Sequence, residues 1–266
     1  MNLLLLLFFA AAELALLWLV QAAILWRRGD VQKLPLRHGS EAAAVRWSMK
    51  IALQLALVGL ALGYPRLIGC DPLAYHCDKL QPLAWRDFVA ACSLTLLMFV
   101  VVLAIEIACG WVRLTQLHGA RKTAGKIARS FLTPIPLVIV EESIFRGVIL
   151  EQFCAALPAT QAGKGAAVAL AAAVFASVHF LKPQQRLLLP ALGLFGLGCV
   201  LGTLYLAGEH TYWLPAGVHA GGVLGIQLHR PFAEYRGPGW LIGFRSYPIA
   251  GVIGMAGLIA VTCALV

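Results

Sequence analysis

Apolar runs of about twenty residues recur along this chain, separated by short stretches that collect the charge. They fall at about 3–26, 45–64, 87–110, 133–157, 164–181, 187–207, 212–228 and 246–266. Each approaches the roughly 20 residues a helix needs to cross the hydrocarbon core of a bilayer. The pattern predicts an all-α fold, a polytopic transmembrane helical bundle of about eight transmembrane helices. No polar block is long enough for a separate soluble unit, and no internal repeat is visible. Residues 1–266 therefore read as a single integral membrane domain.

Composition agrees with the pattern. The chain is 61% hydrophobic and 12% charged, whereas soluble domains run near 25% charged. The net charge of +9 would suit nucleic acid, but its distribution does not. Basic residues sit in short loops without aromatic interleaving, and no basic helix is expected, so nucleic acid is excluded as a partner.

Alternate loops separate by charge instead. Arg27, Arg28, Lys33, Arg37 and Arg46 fall in the first; Arg113, Arg121, Lys122, Lys126 and Arg129 in the third. Lys182 and Arg186 follow in the fifth, then Arg230, Arg236 and Arg245 in the seventh. The opposite loops hold only Arg66, Lys79, Arg86 and Lys164. The positive-inside rule then makes the odd loops cytoplasmic and places both termini on the other side. The first run lacks a basic leader and precedes Arg27-Arg28, so it reads as a helix rather than a cleaved signal. Richness in Ala, Leu and Gly with compact loops suggests a multi-pass protein of a prokaryotic plasma (inner) membrane.

Five cysteines fall within apolar runs, where a thiol is a small apolar filler. Cys70 and Cys77 share the second loop on the oxidising side, where a disulfide would brace the loop.

Charge inside a bilayer costs at least about 2.5–3.5 kcal/mol per residue on the lenient insertion scale. The fourth run nevertheless carries Glu141, Glu142 and Arg146. Glu142 and Arg146 are four apart and share a helix face, so they can pair. Glu141 is turned about 100° away, toward a different neighbour, which leaves one carboxylate available as a base. A single Glu–Arg pair would serve as a helix lock, but it leaves the second carboxylate unexplained. His179 ends the fifth run, four residues after Phe175, and alone would read as an interfacial histidine. His219 lies deeper, in the seventh run. There Gly217, Gly221 and Gly225 form a ridge for close helix approach, and His219 points away from it.

Taken in order, Glu141-Glu142-Ser143-Ile144-Phe145-Arg146, Phe175-Ala176-Ser177-Val178-His179 and His219 resemble the CAAX protease and bacteriocin-processing family of intramembrane proteases, the Rce1-like or Abi group. The likeness covers about residues 133–228. It implies that Glu141 is the general base for a water that His179 helps to position. By the same likeness Glu142 and Arg146 organise the site, and His219 stabilises the oxyanion. The expected activity is a glutamate-dependent intramembrane peptide hydrolase, a CAAX-type endopeptidase-like enzyme. It would cut a membrane-associated peptide or protein near the cytoplasmic side of the lipid bilayer.

One position departs from the family. Its last motif has Asn or Asp four residues after the histidine, where this chain has Val223. Asn2 is the sole asparagine, and Gln227 lies about 12 Å further along a helix. Gly222, one turn from His219, would leave room for substrate or a backbone donor. No cofactor is expected. Two histidines and a glutamate also make a zinc set, so a zinc-dependent version is the alternative chemistry, although there is no His-Glu-x-x-His. Two further rivals are a non-proteolytic membrane binding or immunity protein and a proton-coupled transporter. The latter calls for inverted repeats that the chain lacks. Other acids in apolar runs, Glu13, Glu106 and Glu151, belong to no motif. Glu106 has Arg113 and Arg129 as candidate partners, and Gly198 with Gly202 marks a second close helix contact.

Overall fold

The computed structural model describes residues 43–80, 85–115, 119–132, 134–179, 188–243 and 247–266, with a few helical positions between 4 and 26. Most of the run at 3–26, with Glu13, lies outside them. So do Arg27, Arg28, Lys33, Arg37, Lys182, Arg186 and Arg245. The all-α expectation holds. Chain order is α1 (Ala43–Leu67), α2 (Pro72–Cys77), α3 (Trp85–Ala108), β1 (Val112–Leu114), α4 (Ala120–Leu132) and α5 (Pro134–Ile144). A π-helical turn (Phe145–Leu150) leads into α6 (Glu151–Ala156), followed by α7 (Gln161–His179), α8 (Leu188–Ala207) and α9 (Trp213–His229). The chain closes with β2 (Ala233–Tyr235), α10 (Gly239–Ile242), a 3₁₀ turn (Pro248–Ala250) and α11 (Val252–Leu265).

Among the described residues, three helices are long and apolar enough to cross a membrane: α3, α7 and α8. Helix α11 is shorter and also apolar. The fourth run is not one regular helix, because the π turn divides α5 from α6. The expectation that the chain has no basic helix is overturned. Arg121, Lys122, Lys126 and Arg129 lie on α4, which buries Thr123 and Ser130 and exposes Arg121 and Phe131. A twenty-residue hydropathy window averages over such a short amphipathic helix and hides it.

Glycine sets two close helix contacts. A methyl group on Gly217 would stand 2.7 Å from Ala91 Cβ, and one on Gly221 would stand 2.8 Å from Cys92 O and from Thr95 Cβ. One on Gly225 would stand 2.7 Å from the Phe99 ring. Contacts climb α3 and α9 in the same order, so the two helices run parallel. Thr95 turns its hydroxyl back to Ala91 O at 2.8 Å, which satisfies it within its own helix. On α8, Gly198 lies against Ala172 and Gly202 against Val168. Here the order reverses, and α7 and α8 are antiparallel. A ladder of β1 and β2, pairing Val112 with Tyr235 and Leu114 with Ala233, ties the far ends of α3 and α9 together.

The loop after α1 folds back on the bundle. Asp71 caps α2, its carboxylate accepting from Ala74 N at 2.8 Å with Pro72 in the first turn. Cys70 and Cys77 are free, exposed thiols, so no disulfide braces the loop. Glu106 is buried without a hydrogen-bond partner among the described residues. Arg113 is exposed on β1 and does not pair with it. Glu151 gathers Tyr205, His210 and Lys79 around one carboxylate oxygen.

The glycine contacts give a paired expectation. Gly221→Ala should destabilise the bundle by about 1–3 kcal/mol through overpacking against α3. Gly222→Ala meets open space and should be neutral or stabilising by up to about 1 kcal/mol through helix propensity. Thermal unfolding in detergent checks both.

Candidate active site

Helix α5 opens with Pro134 and Pro136, tolerated where amide hydrogens would be unpaired anyway. It delivers Glu141 and Glu142 two turns later. Glu142 is wholly buried, and its Oε1 accepts from His219 Nδ1 at 2.7 Å and from Arg146 Nη1 at 3.2 Å. Its Oε2 lies 3.1 Å from Arg146 Nε, close enough for an ion pair but not aligned as a hydrogen bond. Arg146 is almost as buried. It donates Nη2 to the Gly198 carbonyl at 3.3 Å and sets its guanidinium carbon 5.1 Å from the Phe175 ring centre.

The imidazole of His219 spans both carboxylates, since its Nε2 lies 3.6 Å from Glu141 Oε2. Consecutive glutamates were expected to serve different neighbours. They converge here because the two ring nitrogens diverge and match the angle between them. Of the pair, Glu141 is the more open, with 12% of its side chain exposed and no arginine at ion-pair distance among the described residues.

Phe175 is the hinge between the remaining parts. Its ring stands edge-on to Phe145 at 5.0 Å and to His219 at 6.0 Å, and 4.5 Å from the His179 ring. His179 is buried and turns Nδ1 to the Phe175 carbonyl at 2.8 Å. A carbonyl only accepts, so that contact places a proton on Nδ1. The structure thus joins Glu141, Glu142, Arg146 and His219 by direct contacts, and His179 reaches them through Phe175.

Sequence reasoning missed two partners. The Gly198 carbonyl leaves no trace in side-chain patterns, although Gly198 itself was marked for close packing. The π turn around Arg146 was also unforeseen; its one signal is Gly147, an interior glycine that costs helix stability and so needs a reason. Val223 packs with Val138, Ala216 and Ala220 in a small apolar cluster. The family's amide or acid at that position therefore has no counterpart here. Among the described residues no group of three His, Cys, Asp or Glu is arranged to hold a metal ion. His219, the central donor, already addresses Glu142 with Nδ1 and faces Glu141 with Nε2.

Residues 123–224 match the family described as Type II CAAX prenyl endopeptidase Rce1-like. The resemblance read from the motifs is thus found over a stretch that contains all five candidate residues. No curated protein and no solved structure matches the chain significantly.

The buried pair predicts an asymmetry. Glu142→Ala strands Arg146 and should cost about 3–5 kcal/mol, while Glu141→Ala should cost far less. Comparing the unfolding of the two variants in detergent checks this, and equal losses would contradict the assigned pairing.

Proposed function

We propose that the protein is a glutamate-dependent intramembrane endopeptidase acting on a membrane-associated peptide or protein near the cytoplasmic face. One observation carries the reading: of two adjacent buried carboxylates on a single imidazole, Glu142 is in contact with an arginine, whereas among the described residues Glu141 meets only the imidazole at ion-pair distance. A paired carboxylate can organise a site, whereas an unneutralised one can take a proton.

In this reading Glu141 removes a proton from a water that His179 helps to position, and the water oxygen attacks the scissile carbonyl. His219 donates Nδ1–H to Glu142, and protonated at both ring nitrogens it donates Nε2–H to the oxyanion. Preorganised donors of this kind stabilise developing charge by several kcal/mol in a water-poor cavity. Arg146 fixes Glu142 against the Gly198 carbonyl, so the imidazole cannot rotate away. The proton held by Glu141 then passes to the leaving amine as the carbon–nitrogen bond breaks. This chemistry uses no metal and no cofactor. The likeness over residues 123–224 supports the reaction class. The full complement of about eight crossings, with both termini outside the cytoplasm in a prokaryotic inner membrane, belongs to the same proposal.

The packing of Val223 favours a second reading, in which the polar cluster is a non-proteolytic lock or binding device. Cleavage of a panel of membrane peptides in liposomes separates the two. Glu141→Gln should lower the rate by about 10²–10⁴-fold, His219→Ala by about 10²–10³-fold, and a chelator should leave it unchanged. Full rate in Glu141→Gln would sink the peptidase reading.

A further inference from the structure

A second buried polar cluster lies beside the carboxylates, and the mechanism above does not use it. Tyr212, fully buried, immediately precedes α9, and its backbone N–H donates to Lys79 O at 3.0 Å. Its hydroxyl meets His76 Nδ1 at 2.8 Å, while His76 Nε2 meets the Ala61 carbonyl at 2.7 Å. A carbonyl can only accept, so His76 carries its proton on Nε2 and accepts from the tyrosine at Nδ1. Burial pushes the His76 imidazole below its ordinary pKa, the Ala61 carbonyl opposing and Lys79 adding to the shift. A neutral ring suits the acceptor role.

The same phenol lies directly over Gly147. A methyl group there would collide with the Tyr212 hydroxyl and stand 2.9 Å from its ring carbon Cζ. Tyr75, beside His76 on α2, donates its hydroxyl to the Gly147 carbonyl. In the π turn Glu151 N–H reaches back five residues to Arg146 O, and such turns often sit at functional sites. Gly147 follows Arg146, and Tyr212 lies two helical turns, about 10 Å, before His219. One cluster therefore touches the segment bearing Glu142 and Arg146 and the helix bearing His219.

We propose that Tyr212, His76 and Tyr75 form a clamp that sets the relative depth of α9 and the π turn, making them positioning residues for the His219–Glu142 contact. The inference rests on the peptidase reading only for its catalytic consequence. Its geometric content stands apart. A hydrogen bond at 2.7 Å between groups on different helices tolerates little sliding. The clamp fixes sliding at its nearest point, with a phenol that only a glycine can sit beneath.

The test uses the full chain in detergent with ¹⁵N-labelled histidine, the His219 signals being assigned by their loss in His219→Gln. Tyr212→Phe and the milder Tyr75→Phe should each move the His219 ring-nitrogen signals with little change in unfolding midpoint. Tyr235→Phe, which removes a phenol bonded to His229, should not move them. In the cleavage assay Tyr212→Phe should lower kcat by about 10–100-fold, as sub-ångström to ångström misplacement does, with KM nearly unchanged. Gly147→Ala should be more defective, and Gly147→Ala combined with Tyr212→Phe should recover part of the loss, because the colliding oxygen is gone. Unmoved His219 signals in both tyrosine variants, or no recovery in the double variant, would overturn the clamp. If the signals move while Glu141→Gln still cleaves at full rate, the clamp stands and the peptidase reading falls.

Discussion

The contact between Glu142 and His219 is the constraint around which the bundle is arranged. A carboxylate without solvent is tolerable only if its charge is matched and its lone pairs are occupied. Arg146 supplies the charge from the same helix and His219 supplies a donor from another. Arg146 must be satisfied in turn, and it borrows a backbone carbonyl from a third helix at Gly198. Three helices are thereby committed to one another by a handful of polar atoms. The apolar side chains around them carry no directional information of that kind.

Such a contact also demands close backbones. Gly198 admits α7 on one side of α8, and Gly217, Gly221 and Gly225 admit α3 on one side of α9. Within lipid the gain comes from van der Waals packing and hydrogen bonds rather than from expelling water. Small residues on one helix face and a polar residue on the opposite face are then complementary requirements. On α9 the glycines face α3 while His219 faces the glutamates.

The chain announces much of this in advance. Helices at the apolar runs, the pairing of Glu142 with Arg146 and the orientation of His219 away from the glycine ridge follow from spacing alone. The convergence of Glu141 on the same imidazole does not, because it depends on the depth at which α9 meets α5, and no local pattern encodes depth. The π turn is invisible for a related reason: Phe145 to Leu150 are all buried, so no two-sided pattern exists there for the extra residue to disturb. Helix α4 escaped because it is a short amphipathic helix of 13 residues between longer apolar runs, and the tyrosine cluster because Tyr75 and His76, in a segment read as loop, are far in sequence from Tyr212 at the start of the seventh run. Val223 shows the reverse limit. A motif position can be occupied by a residue that serves packing, and only coordinates reveal which.

The small ladder between β1 and β2 has a mechanical corollary. With Val112 opposite Tyr235 and glycine-tight contact along their length, α3 and α9 are fastened at the end where parallel helices would otherwise splay. They form one stiff plank that carries His219 on its inner side. Against that plank, α7 meets α9 through the edge-on contact of Phe175 with His219.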